Sequence, residues 1–248
     1  MAIVATKNVF NKQEKMTDSP ILKISEIFYS LQGEGINTGK PAVFLRMSHC
    51  NLACSWCDTK YTWDWDNYDY TVEVKEMNVK ALINSISRYQ SKHLVITGGE
   101  PMIQQRQLLP LIKKIKELGY FIEIETNCTI LPEENFDQLI DQWNVSPKLA
   151  SSINDMRSRE IESCYLFFSN HSKCYFKYVI NDSDDLRELQ DLVEKYRIPA
   201  GKIILVPQGN NRNDIIARGI WLSEICKKNG YILSLRLQVL LWSNQRGF

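Results

Sequence analysis

Hydrophobic positions along the chain fall into two alternating kinds of run. Short apolar stretches predict strands at 42–47, 94–97, 121–125, 144–146, 174–180, 203–206 and 232–238. Between them, longer stretches repeat their apolar positions every three or four residues, as a helix with one buried face does. Asn78 is placed to cap a helix that buries Leu82, Ile83 and Ile86. Leu108, Leu109, Ile112 and Ile115 mark a second helix, which stops at Gly119. Further helices fit 133–142, 184–196 and 213–229, the last ending near Gly230. Such strand–helix alternation predicts an α/β fold with a mainly parallel sheet, either doubly wound or a barrel. Residues 1–20 follow neither period and read as a flexible N-terminal tail ahead of one domain spanning 21–248.

Both parallel architectures place ligand sites beyond the carboxyl ends of the strands, and the unusual residues fall there. Cys50 follows the first of these strands, Gly98-Gly99-Glu100 the second, Thr126-Asn127 the third and Ser146-Pro147-Lys148 the fourth. The run Trp63–Tyr70 (WDWDNYDY) is too acidic for a core and reads as a loop packed over the site. Residues 151–172 form a polar insertion with no evident place in the alternation.

Charge and cysteine usage narrow the function classes. With 30 Lys+Arg against 29 Asp+Glu in 248 residues, the net charge is +1, which argues against a general nucleic-acid or membrane-surface binder. No apolar run approaches the ~20 residues needed to span a bilayer, and the first twenty residues are too interrupted for a signal peptide. A soluble cytoplasmic protein is expected. The seven cysteines are odd in number, and three of them, Cys50, Cys54 and Cys57, crowd into eight residues. In a reducing compartment that cluster points to metal or redox chemistry rather than disulfides. Cys128, Cys164, Cys174 and Cys226 read as small buried hydrophobes.

Thiols spaced four and three apart can wrap one face of a small inorganic centre and leave a coordination position open. Spacing alone leaves two readings, an iron–sulfur cluster or a zinc site completed by His49 or a distant cysteine. Arg46, inside the apolar run Val43-Phe44-Leu45-Arg46-Met47, calls for an anionic partner. Gly98-Gly99 exposes backbone for close approach, and the Glu100 carboxylate is suited to an ammonium group.

CxxxCxxC with Trp56 before its last cysteine, then Gly98-Gly99-Glu100-Pro101 at the next strand end, resembles the signature of radical S-adenosylmethionine (SAM) enzymes. The stretches Phe28–Gly35 (FYSLQGEG), Phe44-Leu45-Arg46, Cys57–Tyr61 (CDTKY), Glu125-Thr126-Asn127, Ser146-Pro147-Lys148 and Leu241–Phe248 (LWSNQRGF) resemble the 7-carboxy-7-deazaguanine synthases within that family. The likeness runs from about residue 24 to the end.

The resemblance implies a partial, modified (β/α) TIM-type barrel, a homodimer, Mg²⁺, and an electron donor such as flavodoxin. It also implies a [4Fe–4S] cluster on Cys50, Cys54 and Cys57, with SAM on the fourth iron. One-electron cleavage of SAM would yield a 5′-deoxyadenosyl radical, which takes a hydrogen from 6-carboxy-5,6,7,8-tetrahydropterin. Ring contraction with loss of ammonia would then give 7-carboxy-7-deazaguanine. At the matching positions, Trp56, Gly99, Glu100, Ser146, Pro147, Lys148 and Gln208 would hold SAM. Leu31, Gln32, Gly33, Glu34 and Thr97 would touch the pterin, Arg46 its carboxylate, and Phe248 its amino and ring N–H groups; Thr59 would offer its hydroxyl to Mg²⁺. One departure is Gln238, where a histidine is expected. Two other readings stand beside this one: an activase-type radical SAM protein, and a non-catalytic zinc-binding interaction module.

Overall fold

The computed structural model describes residues 20–243 and 245–248, so nearly all of the expected N-terminal tail lies outside the described residues. β1 (Ile21–Leu31) pairs antiparallel with β2 (Pro41–Met47), and β3 (Lys75–Asn78) pairs antiparallel along the other edge of β1. From β2 the sheet continues in parallel through β4 (His93–Gly98), β5 (Phe121–Thr126), β6 (Gln142–Val145), β7 (Cys174–Ile180), β8 (Ile203–Pro207) and the two-residue β9 (Ile232–Leu233). The order is β3-β1-β2-β4-β5-β6-β7-β8-β9. Among the described residues the two edge strands do not meet, so the sheet is a partial barrel, as expected, rather than a closed one.

Among the described residues eight α-helices lie between strands and a ninth follows the last: α1 (Tyr70–Glu73), α2 (Val79–Ile86), α3 (Gln105–Glu117), α4 (Glu134–Asp137), α5 (Met156–Arg159), α6 (Glu162–Asn170), α7 (Ser183–Tyr196), α8 (Arg212–Asn229) and α9 (Leu237–Trp242). Asn78 caps α2 as predicted, its side-chain oxygen accepting from Ala81 N–H at 2.9 Å. The buried stripe of α3 is Leu108, Leu111, Ile112 and Ile115. Among the described residues no helix is long and apolar enough to cross a membrane.

Period-two alternation gives the barrel wall two different faces. Val43, Leu45, Leu94, Ile96, Ile122, Ile124, Trp143, Val145, Phe176 and Tyr178 pack outward against the helices in one continuous core. Full burial of each such side chain contributes about 1.5–3 kcal/mol, so this outer layer stabilises the fold. The alternate positions point inward and are largely polar: Arg46, Thr97, Glu123, Glu125, Gln142, Asn144 and Lys177. Parallel strands covered on both faces ordinarily read as unbroken hydrophobic runs. Here the inner face carries a small apolar patch of Ala42, Phe44 and Val95, with Phe28 against it. Away from the strands' carboxyl ends, the inner face is closed by Glu123, which accepts from Gln32 Nε2 (2.6 Å), Asn37 Nδ2 (2.7 Å) and Asn144 Nδ2 and meets His93 Nε2 at 2.9 Å.

Several elements differ from the sequence expectation. β3, α1, α5 and α6 were not expected; the last two lie in the 151–172 insertion, where α6 buries Cys164, Tyr165 and Phe168 in the core. β1 was not expected, because Lys23, Ser25 and Glu26 interrupt its apolar alternation; its pairing with β2 and β3 supplies what its composition lacks. The helix expected at 133–142 shortens to α4, and Gln142 already belongs to β6. The strand expected at 232–238 is β9 followed by α9. The chain leaves the sheet there because the Ser234 hydroxyl accepts from Gly35 N–H (2.8 Å) and Leu237 N–H donates to Gly33 O (2.9 Å). Those bonds replace a ladder on β8 and turn the following residues across the barrel mouth.

Candidate active site

A cavity of about 290 Å³ opens at the carboxyl ends of the parallel strands. The cysteine loop and the glycine turn after β4 are joined at its rim. Gly99 N–H donates to Met47 O (3.1 Å) and Glu100 N–H to His49 O (2.7 Å). Neither glycine tolerates a side chain. A Cβ on Gly98 would lie 2.3 Å from the Met47 backbone, and one on Gly99 1.9 Å from His49 O. Gly98 also holds φ at +124°, which favours glycine. The two segments that carried the family signature therefore form one seam, held by backbone contact.

Cys50, Cys54 and Cys57 all line the cavity. Each sulfur has a side-chain donor near it: Asn127 Nδ2 at 4.0 Å from Cys50, Asn154 Nδ2 at 3.2 Å from Cys54, and Trp63 Nε1 at 3.4 Å from Cys57. Burial pushes the Cys50 thiol up to about 12 and moves Cys54 in the same direction. His49, the candidate fourth ligand of a zinc site, packs edge-on against Trp65 and Tyr70. Trp63, from the acidic aromatic run, is part of the cavity wall.

The inner strand face supplies charge. Lys177 Nζ lies 2.8 Å from Glu34 and 3.1 Å from Glu125, while Arg236 Nε reaches Glu34 at 3.1 Å and its Nη2 pairs with Asp58. Burial would raise the Glu34 carboxyl, but Lys177 and Arg236 outweigh it and hold it well below the usual range. Burial likewise opposes the Lys177 charge, and Glu125 and Glu34 raise its pKa regardless. Thr97 donates to Glu125 at 2.8 Å. Arg46 finds its anionic partner in Glu26 (2.9 Å through Nε), which also accepts from Arg246 (2.8 Å) and Tyr61 (3.0 Å). Arg246 continues to Glu73 and lies over the Tyr61 ring, anchoring the closing segment to the wall.

Nearly every residue expected at the site lines this one cavity: Leu31, Gln32, Gly33, Glu34, Arg46, Trp56, Thr59, Thr97, Gly99, Ser146, Lys148, Gln208 and Phe248. Two expected SAM contacts do not. Pro147 is buried beside the rim. Glu100 is fully buried behind it, accepting from Met102 N–H (3.0 Å), Thr126 Oγ1 (2.8 Å) and Asn127 N–H (2.6 Å). Instead of facing an ammonium group, that carboxylate fixes the turn that carries Gly99. Two buried polar atoms on the cavity wall, Trp56 Nε1 and Gln238 Oε1, have no hydrogen-bond partner among the described residues. They are ready for a ligand.

Known proteins resemble this chain in sequence and in fold. Residues 31–146 match the family described as a 4Fe-4S single cluster domain. The 7-carboxy-7-deazaguanine synthase of Pyrobaculum aerophilum is 36% identical over 236 residues, covering 94% of this chain and 100% of that one. The Halobacterium salinarum synthase is 32% identical, covering 92% and 93% respectively. The crystal structure of QueE from Escherichia coli superposes with a TM-score of 0.66 at 28% identity, over 88% of this chain and 94% of that one. The chain belongs to the 7-carboxy-7-deazaguanine synthase family. With that, the activase and zinc-module readings fall away.

Membership brings a [4Fe–4S] cluster and SAM as cofactors. The residues present fit them: three thiols at one cavity mouth, a glycine seam where added carbon would collide, and an unpartnered indole N–H beside Cys57. Lys148, held by the Ser146 carbonyl and hydroxyl at 2.9 Å each, stands 5.8 Å from the Trp56 ring and completes that side. Sequence reasoning on single residues missed Lys177, Arg236, Glu26 and Asn154. The first had a visible signal, a lysine in the middle of an otherwise apolar and aromatic strand.

Proposed function

We propose that the chain converts 6-carboxy-5,6,7,8-tetrahydropterin to 7-carboxy-7-deazaguanine with loss of ammonia, as a radical SAM lyase of 7-deazapurine synthesis. The observation that carries this reading is the seam of cysteine loop and glycine turn above a cavity whose strand face is charged rather than apolar. The bound cluster and SAM supply the one-electron cleavage that makes an organic radical; the protein positions and shields the reacting groups. Arg46 engages Glu26 through one edge of its planar fork, and the rest of the guanidinium is suited to the substrate carboxylate. Leu31, Gln32, Gly33 and Thr97 form the pterin wall, with Lys177 and Glu34 fixing its charge. Phe248, whose ring centroid lies 5.8 Å from that of Trp242, lines the outer side.

Mg²⁺ belongs at Thr59 in the same reading. The common structural role of such a hydroxyl, capping the turn that follows, is not used: Thr59 makes no side-chain cap bond among the described residues, and its Oγ1 lies 3.5 Å from Cys57 Sγ inside the cavity. Water and substrate oxygens would complete the octahedron. Residues 21–248 act as one catalytic unit, since Glu34 near one end of the chain meets Arg236 and Gln238 near the other. A homodimer, an electron donor such as flavodoxin, and work in the cytoplasm complete the proposal; all seven cysteines lie among the described residues and are unpaired.

Anaerobic protein reconstituted with iron and sulfide, then incubated with SAM, a reductant and the carboxytetrahydropterin, should form the deazaguanine acid and ammonia, read by mass. Cys57→Ala should form neither and lose iron. An iron-loaded protein that cleaves SAM but leaves the pterin intact would refute the substrate assignment.

A further inference from the structure

The segment between β6 and β7 supplies α5 and α6, and the turn that precedes them touches the cysteine loop. Ser152 O accepts from Ser55 N–H at 3.1 Å. Asn154 Oδ1 accepts from Ala53 N–H at 2.9 Å, and Asn154 Nδ2 donates to Ser152 Oγ (3.0 Å) and lies 3.2 Å from Cys54 Sγ. The amide orientation follows from this geometry. The Ala53 N–H can only donate, so it takes the oxygen end and turns the NH₂ end toward the sulfur. The neighbouring Ile153 holds φ at +64° while 78% exposed, a left-handed conformation that a β-branched residue rarely adopts. Its own side chain gains nothing from that position, whereas the next residue is delivered onto the loop. From behind, the turn is fixed by Arg159, which donates to Lys148 O at 3.0 Å and pairs with Glu188.

We propose that the 151–154 turn clamps the cluster-binding loop, with Asn154 as a positioning residue that holds the Ala53 backbone and donates a hydrogen bond to the Cys54 sulfur, raising the reduction potential of the bound cluster. Hydrogen bonds to ligand sulfurs are among the determinants of iron–sulfur potentials. A donor favours the reduced state, in which the sulfurs carry more negative charge. Asn127 and Trp63 stand near the other two sulfurs, but of the three donors only Asn154 also bonds the loop's backbone through its own side chain at Ala53. The inference rests on the cluster assignment of Cys50, Cys54 and Cys57.

The test is a redox titration of the iron-loaded protein followed by electron paramagnetic resonance, alongside the rate of iron release to a chelator. Asn154→Asp keeps the acceptor for Ala53 N–H but puts a negative oxygen where the donor stood. Its midpoint potential should fall below that of the unaltered protein, and below that of Asn154→Ala. Asn154→Ala loses both contacts and should release iron about tenfold faster, the equivalent of ~1.4 kcal/mol. If the alanine variant does not fold, the aspartate variant carries the test. Potentials that stay put in iron-loaded Asn154→Asp overturn the tuning role, and an unchanged release rate in Asn154→Ala overturns the clamp. An unaltered protein that takes up no iron would instead overturn the cluster assignment itself.

Discussion

Lys177→Met removes an ammonium group shared by two carboxylates on the inner barrel face. Its Nζ sits 2.8 Å from Glu34 and 3.1 Å from Glu125, and the three side chains are 7%, 14% and 21% exposed respectively. Removing one partner of a buried ion pair costs about 3–5 kcal/mol, mostly because the other charge is left uncompensated. Here Glu34 keeps Arg236 (3.1 Å) and Gln238 (2.8 Å), Glu125 keeps Thr97 (2.8 Å), and partial exposure screens what remains. The loss should therefore fall near the lower end, about 3 kcal/mol.

Its pH dependence has a definite sign. In the unaltered protein the Lys177 pKa is raised, so its contribution is complete below the ordinary lysine value and is lost only as pH rises through the higher folded value. The Glu34 pKa is depressed, so its contribution is complete above the ordinary carboxylate value and fades only in strong acid. Between roughly pH 5 and 9 the intact network is therefore flat. In Lys177→Met, Glu34 keeps Arg236 while Glu125 keeps only the Thr97 hydroxyl, so the inner face carries a carboxylate without a cation beside it and the penalty shrinks as acid protonates it. Urea midpoints of both proteins at pH 8 and pH 5.5, followed by tryptophan fluorescence, read this directly. A penalty below about 1 kcal/mol, the range of an exposed pair, or one equal at the two pH values, would refute the argument.

Two further substitutions address the rim. Thr59→Ala should raise the Mg²⁺ concentration needed for half-maximal turnover severalfold with iron content unchanged; an unmoved Mg²⁺ titration would return the hydroxyl to a structural role. Gly99→Ala places a Cβ 1.9 Å from His49 O, a backbone atom that can yield only by opening the seam. It should cost about 1–3 kcal/mol of stability and raise KM for SAM, both read against the unaltered protein by thermal unfolding and SAM cleavage. A variant with unaltered stability would show that the seam is looser than the geometry requires.

Much of the fold was legible because each parallel strand from β4 to β8 carries a short stretch of outward apolar residues and alternates with helices of clear apolar period, such as α3 and α7. The elements that escaped are those whose local pattern disagrees with their tertiary role. β1 mixes Lys, Ser and Glu into a strand because antiparallel neighbours on both sides complete it. Leu233, Leu235, Leu237 and Val239 alternate as a strand would, but bonds from Ser234 and Leu237 to the Gly33–Gly35 turn convert the end of that run into α9. At the site, the cysteines and glycines were legible because their spacing is local. Glu100 does not reach the cavity as its motif implies, since Met102 N–H just downstream and the Thr126 hydroxyl and Asn127 N–H at the end of β5 surround it, and the latter two are not visible in the run Gly98–Pro101.

The charged wall was readable in principle, and the reason lies in strand geometry. Phe121–Thr126 reads FIEIET and Cys174–Ile180 reads CYFKYVI. In a parallel strand covered by helices on one face, a glutamate at every second position, or a lysine between aromatic residues, cannot lie in the outer core without a large desolvation cost. It has to face inward, and it needs a partner of opposite sign there. Glu125 and Lys177 are such a pair, one strand apart across β6, and the register that puts Glu125 beside Asn144 and Asn144 beside Tyr175 brings the lysine two residues further along to the same level of the barrel. The alternation that builds the hydrophobic shell therefore also sets where the charges of the active site can stand. Near the strands' carboxyl ends, inward charges of opposite sign such as Glu125 and Lys177 therefore mark the lining of the cavity.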